Sequence, residues 1–191
     1  MNLDQHPIIK DITSLYPLDT EEINLIYHVF KLIEYNRNIT IFENGQRMNQ
    51  LYFIIEGLVK LVFIDHNGKE FIIGFAVENW WETDVGAFFY QQKTSYNLVT
   101  MEKTKLYAIT EMDYKMIINK IPSLKSYFLD KSIRGFFASQ QRVLSLLSMD
   151  SKNRYDQLLK LYPKWFQRIP KKYIATYLGV SRETLSRMVK E

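Results

Sequence analysis

Residues 173–191 read YIATYLGVSRETLSRMVKE. Two short apolar-periodic runs, Tyr173–Leu178 and Thr184–Val189, are joined by Gly179-Val180-Ser181. Neither run is stable alone, because isolated helices below about 12–15 residues are marginal in water. Pro170 suits a helix's first turn, where its missing N–H costs nothing. Ile174 and Leu178 then share a face with small Ala175 between them, and Gly179 suits the left-handed residue that ends a helix. Val180 is an apolar turn residue. Ser181 caps the next helix, and Leu185 and Met188 are its inward positions. Ala175 lets the helices approach and Gly179 lets the chain turn, which is helix-turn-helix spacing. Arg182, Glu183, Ser186, Arg187 and Lys190 are left on the outer face.

That outer set suits DNA. Arginine can donate two bonds to guanine O6 and N7, and glutamate can accept from cytosine N4, so Arg182, Glu183 and Arg187 carry groups able to meet base edges. Ser181, Thr184, Ser186 and Lys190 suit phosphate oxygens, as do Lys171 and Lys172 at the start of the preceding helix. A helical hairpin with a charged, solvated face is the alternative. Charge is uneven along the chain. Residues 150–191 hold ten Lys/Arg against four Asp/Glu, whereas residues 1–149 hold fifteen against seventeen. A basic end on a neutral-to-acidic body suggests a nucleic-acid-binding end, although a lysine-rich surface gives the same count.

Upstream, residues 1–35 are expected to be helical. Asp19 is a good N-cap with Glu22 three residues on. From about Ile39 the period changes. ITIFENG, QLYFIIEG, LVKLVFID, KEFIIGFAVE, YNLVTME and TKLYAIT are β-branched and aromatic runs. Several are separated by Asn-Gly or Glu-Gly turn signals, with His66-Asn67-Gly68 the clearest hairpin. Even strand spacing predicts an antiparallel roll. Helix returns from Met112 to about Lys120, before Pro122. A long helix is expected over 123–149. Leu129, Ile133, Phe136, Gln140, Val143 and Leu147 form an a/d seam that suits a homodimer. Packing of that seam on the chain's own roll is the alternative. Phe128, Phe137, Leu144 and Leu146 give the helix a second apolar face, expected to pack on the roll. A further helix spans about Asn153–Tyr162, with a connector over Trp165–Ile169. The expected class is α+β, with a roll domain over 1–122, a dimerisation helix over 123–149 and a helix-turn-helix domain over 150–191. Any wing is expected between Leu161 and Pro170, since little chain follows the last helix.

Other classes are excluded or disfavoured. There is no cysteine, hence no disulfide, thiolate metal site or iron–sulfur cluster, which fits a reducing cytoplasm. No run approaches the ~20 apolar residues of a membrane helix. The N-terminus lacks the pattern of a secretory signal. His6, His28 and His66 are not paired at ligand spacing, so no metal is expected. No nucleophile-elbow, phosphate-loop or dinucleotide motif occurs, so the chain is not expected to be an enzyme.

The segment IPKKYIATYLGVSRETLSRMVKE closely resembles the DNA-binding end of the Crp/Fnr superfamily of bacterial transcription regulators. Ser181 to Arg187 resembles the recognition-helix signature S-R-E-T-x-x-R of its cyclic-AMP receptor protein branch, which implies base reading by Arg182, Glu183 and Arg187. FENGQRMNQLYFIIEGLVKLVFIDHNGKEFIIGF resembles the family's effector roll, and the seam helix stands in place of its dimerisation helix. The resemblance implies a homodimer on a palindromic site of double-stranded DNA, with RNA polymerase as a candidate further partner. The cyclic-nucleotide members carry a phosphate cassette opened by Phe-Gly-Glu and completed by an arginine next to a small residue. The matching stretch is NWWETDVGAFFYQQKTSYNLV, residues 79–99. Thr83 stands for the glycine, Asp84 for the glutamate, and Thr94 or Ser95 for the arginine. Lys93 is the stretch's only cation, and a point charge does not reproduce a bidentate guanidinium. A cyclic nucleotide is therefore not the expected effector, and the effector is unknown. Trp80 and Trp81, with Thr83, Asp84 and Lys93, form the candidate effector pocket; closure of the roll by the two tryptophans is the alternative. A ligand-sensing module acting through protein contacts rather than DNA is the alternative function.

Overall fold

The computed structural model describes residues 6–188, and contact density divides it into two units. The first takes the chain up to Val62 with Phe75–Lys131; the second takes Phe63–Gly74 with the chain from Ser132 onward. The elements are helices α1 (Pro7–Thr13), α2 (Thr20–Val29), α3 (Val85–Tyr90), α4 (Glu111–Lys120), α5 (Pro122–Ser148), α6 (Ser151–Leu161), α7 (Trp165–Arg168), α8 (Lys171–Leu178) and α9 (Arg182–Met188), and strands β1 (Lys31–Tyr35), β2 (Thr40–Phe42), β3 (Gln50–Glu56), β4 (Val59–Ile64), β5 (Glu70–Ala76), β6 (Trp81–Glu82), β7 (Asn97–Thr100) and β8 (Thr104–Thr110).

The strands form two antiparallel four-stranded sheets, ordered β1-β8-β3-β6 and β2-β7-β4-β5. In β3, Leu51, Tyr52, Phe53 and Ile54 are all buried in succession, as befits an inner strand covered on both faces. Between β3 and β4 the chain passes Gly57 at φ +106°. A Cβ there would lie 2.6 Å from both the Lys103 carbonyl oxygen and Thr104 Oγ1, so only glycine fits. Residues 31–35, expected to be helical, are strand β1, fully paired to β8 from Lys31↔Ala108 to Tyr35↔Thr104. The helical spacing extends to Leu32, but pairing to β8 overrides it from Lys31 onward. The two-residue β6 has no sequence signal of its own. It is held by Tyr52↔Glu82 and Phe53↔Trp81.

Helix α2 starts with the expected capping box. Asp19 Oδ1 accepts from Glu22 N at 2.9 Å and Glu22 Oε2 accepts from Asp19 N at 2.9 Å. Helix α1 buries Ile8, Ile9 and Ile12, each worth about 1.5–3 kcal/mol of hydrophobic transfer. Its Asp11 accepts a hydrogen bond from the buried Tyr127 hydroxyl of α5 and pairs with Lys131 Nζ at 2.7 Å. Tyr127 also accepts from Trp81 Nε1 at 2.8 Å. Trp81 packs against Phe30, Phe53 and Phe128, with ring centroids 5.9, 5.0 and 5.1 Å away. His6 stacks on Tyr107 at 4.2 Å and is 4% exposed. Burial lowers its pKa to about 4.

In the second unit, Asp150 caps α6 by accepting from Asn153 N at 2.8 Å. Tyr155, Leu158, Trp165, Ile169, Ile174, Ala175, Leu178, Leu185 and Met188 are buried. Trp165 is stacked by Tyr162 at 4.2 Å. The stretch between Leu161 and Pro170, where a wing was expected, holds helix α7 and no strand. Its aromatic residues pack into a helical core instead of pairing. On α5, Leu129, Ile133, Phe136, Gln140, Val143 and Leu147 are all exposed in the single chain. The second apolar face divides. Phe128 is buried, while Phe137, Leu144 and Leu146 are exposed. Phe137 and Leu144 follow Ile133 and Gln140 by four, which places them on the flank of the seam.

Candidate nucleic-acid interface and effector cassette

Helix α8 opens after Pro170 and ends at Gly179, whose φ of +70° is the left-handed turn. Gly179 N donates to Thr176 O at 3.1 Å and Val180 N to Ala175 O at 3.0 Å, the paired bonds of a Schellman ending. The conformation requires the glycine. Space does not, since a Cβ would meet Leu146 Cδ2 only at 3.7 Å. Ser181 Oγ then accepts from Thr184 N at 3.1 Å and sits 3.1 Å from Thr184 Oγ1, capping α9. Both hydroxyls thus serve the cap.

With Leu185 and Met188 buried, helical period leaves Arg182, Glu183 and Arg187 exposed and Ser186 half-buried. Glu183 is held below the ordinary carboxylate range by its own backbone N–H and by Ser181, so it is anionic at neutral pH. Lys171 and Lys172 are exposed on the first turn of α8, with Lys172 Nζ 4.5 Å from the Tyr173 ring centroid. Lys190 lies outside the described residues.

Not every cation of the basic end faces outward. Arg154 of α6 donates from Nε to Leu178 O at 3.1 Å and from a terminal nitrogen to Met149 O at 2.7 Å. Lys152 Nζ donates to Met188 O at 3.4 Å. Arg142 of α5 donates to Tyr177 O at 3.3 Å and to Ile72 O at 2.8 Å, and also to Ile73 O. Three cations thus meet carbonyls at the C-terminal ends of α8 and α9, where the helix dipole favours positive charge. Sequence reasoning counted Lys152 and Arg154 as basic surface and passed over Arg142. Their carbonyl partners lie 24 to 70 residues away, apart from Met149, 5 residues before Arg154, and leave no local signal.

In the first unit the cassette helix α3 is present, opened by Asp84, whose Oδ1 accepts from Ala87 N at 3.0 Å. The other carboxylate oxygen accepts from Thr94 Oγ1 at 2.8 Å. Thr94 is 2% exposed. Thr83 is also buried, its Oγ1 donating to Gln50 O at 2.9 Å. Asp84 and Thr94 are thus bonded to each other; Asp84 was expected to stand for the cassette glutamate, and Thr94 or Ser95 for its arginine. A cyclic phosphate there would meet the Asp84 carboxylate, and neither Thr94 nor Ser95 supplies a guanidinium, so these positions do not fit that group. Lys93 is exposed and bridges Arg47 across an isolated backbone pair. Trp80 is partly exposed, while Trp81 belongs to the aromatic packing around Tyr127. Burial pushes the Glu82 carboxyl up to about 7, against the bond from Thr83 N and with the Asp84 charge adding to the rise. Among the described residues no cluster of three or more potential metal ligands occurs, and no helix is long and apolar enough to cross a membrane.

The sequence matches the cyclic nucleotide-binding domain family over residues 32–120. It is 24% identical over 173 residues to the cAMP-activated global transcriptional regulator CRP of Salmonella typhimurium, covering 85% of this chain and 81% of that one. The structure is similar to the c-di-GMP responsive global regulator CLP of Xanthomonas campestris, with TM-score 0.72, 17% identity and 90% of each chain covered. It is also similar to a protein of Eubacterium rectale described as a transcriptional regulator of the crp/fnr family, with TM-score 0.70, 16% identity, and 100% of this chain and 87% of that one covered. At these identities the structural likeness speaks for the fold.

Proposed function

We propose that the chain is a regulator of the Crp/Fnr type that binds a palindromic DNA site as a homodimer and reads bases with Arg182, Glu183 and Arg187. The observation that carries this reading is the arrangement of α9. Its apolar face is buried by Leu185 and Met188, and two arginines and an anionic glutamate stand exposed on the other side. Lys171 and Lys172, with Ser186 and Lys190, serve the phosphates; Ser181 and Thr184 combine that role with the cap. The seam Leu129, Ile133, Phe136, Gln140, Val143 and Leu147 joins two copies. Two-fold symmetry then presents the recognition helices to major grooves about one helical turn apart, ~34 Å.

The effector of this chain is not a cyclic nucleotide. The cyclic-AMP-activated relative supports a sensing roll, and the reading against a cyclic nucleotide is supported by Asp84 standing for the glutamate and bonded to Thr94. The test is a selection from a random double-stranded DNA pool with purified protein and no added ligand. A palindrome should be enriched, and the logarithm of affinity for it should fall linearly with the logarithm of salt concentration. No enrichment, together with salt-insensitive binding, would favour a module acting through protein contacts.

A further inference from the structure

We propose that Arg142 is a positioning residue that couples the β4–β5 hairpin to the joint of the helix-turn-helix, so that whatever moves the hairpin moves the recognition helix. The proposal rests on the DNA-reading role of α9. Arg142 sits on α5, in the second unit, which also contains the hairpin residues Phe63–Gly74. Its guanidinium reaches two elements at once. On one side it donates to the Ile72 and Ile73 carbonyls of β5. On the other it donates to Tyr177 O and lies 4.0 Å over the Tyr177 ring.

β5 is the outer strand of its sheet, and an edge strand carries backbone groups with no strand partner on one side. Tyr177 O belongs to the last turn of α8, whose carbonyls lack intrahelical partners. Tyr177 stands two residues before Gly179, the point at which α8 hands over to α9. Arg154 takes the next carbonyl, Leu178 O, from α6. The joint is therefore gripped from two helices, but only the Arg142 grip extends to the hairpin. The residue type matters. A planar guanidinium offers donors on two edges and a face to the tyrosine ring, whereas a lysine ammonium is a single point. The hairpin itself is a well-made lever. Asp65 Oδ1 accepts from Asn67 N and Lys69 N, each at 2.9 Å, and Gly68 takes φ +77°. Phe63 and Phe71, 6.3 Å apart, are both partly exposed near its tip.

The test compares the full chain with Arg142→Met and Arg142→Lys by amide hydrogen exchange and by DNA titration. Exchange reads the coupling without DNA. In Arg142→Met, amides of residues 70–74 and of 177–182 should both exchange about tenfold faster, the loss expected for a charge-assisted hydrogen bond. Residues 153–160 should be unchanged. Arg142→Lys should be intermediate, and it carries the test if the methionine variant does not fold. In the titration, the duplex enriched by selection should lose about tenfold in affinity while a scrambled duplex of equal length does not. Acceleration in only one of the two segments would overturn the coupling. Equal acceleration through 153–160 would also overturn it, by showing general loosening. Coupled exchange in a protein that binds neither duplex would support the coupling and overturn the DNA reading instead.

Discussion

The cassette around α3 and the outer face of α9 are both built from polar side chains on short helices, yet they have opposite fates. In the cassette, Asp84 accepts from Ala87 N and Thr94, and Thr83 donates to Gln50. On α9, Arg182, Glu183 and Arg187 stay exposed, and the polar holding is done from behind by Arg142, Arg154 and Lys152. A buried polar group costs free energy unless it is bonded, so polar groups that are buried and mutually paired stabilise the fold and have little left for a ligand. Exposed groups on a firmly held helix keep their bonding capacity for a partner. The contrast supports the proposal that recognition lies on α9, where polar groups stay exposed, and not among the mutually paired groups around α3.

The largest expected effect tests the reading side. Ile133→Glu with Phe136→Glu places two like charges on the proposed seam and should convert a dimer to monomers. Light scattering decides it, and a persistent dimer removes the seam. Arg182→Ala should cost roughly 1–3 kcal/mol on the selected site and relax preference at one base position. An unchanged sequence preference would take base reading away from that side chain. On the cassette side, Thr94→Ala leaves an Asp84 oxygen without its bond and should lower unfolding free energy by about 1–3 kcal/mol in urea titration. A neutral outcome would show that the cassette is not closed by that bond.

Two groups in the first unit, the buried His6 and the half-buried Glu82, give opposed pH dependences. His6 is neutral when folded and protonates on unfolding below 6.5, so its contribution falls as pH drops from 6.5 toward about 4. Glu82 keeps its proton when folded up to about 7 and loses it on unfolding above 4.5, so its contribution falls as pH rises from 4.5 to about 7. Between 4.5 and 6.5 the slopes offset each other. Glu82→Gln should leave stability rising with pH, and His6→Phe should leave it falling, by at most about 1.4 kcal/mol per pH unit each. Flat profiles in both variants would mean that neither group titrates as its burial requires. The smallest expected effect is none: cyclic AMP should not raise the melting temperature. A clear rise would reverse the contrast between cassette and reading helix.

The parts of this molecule legible in the sequence are those whose cause is local. The capping box at Asp19 and Glu22, the turn at His66-Asn67-Gly68 and the Ala175–Gly179–Ser181 spacing each involve residues a few positions apart, and each stands as expected. Strand β1 was missed because its backbone is satisfied by β8, some seventy residues away. Charge was counted correctly but placed wrongly for Lys152 and Arg154, since a cation's partner is chosen by proximity in space.

By itself the sequence determined the helix-turn-helix joint and the outward placement of Arg182, Glu183 and Arg187 on α9, because helical period, a left-handed glycine and a serine cap act over a single turn. Only the tertiary structure decided that Asp84 and Thr94 satisfy each other and that Arg142 spans from β5 to the end of α8. Hydrogen bonds between distant residues form only after the chain has been brought together. The demand of each unpaired carbonyl for a donor then selects among the side chains within reach.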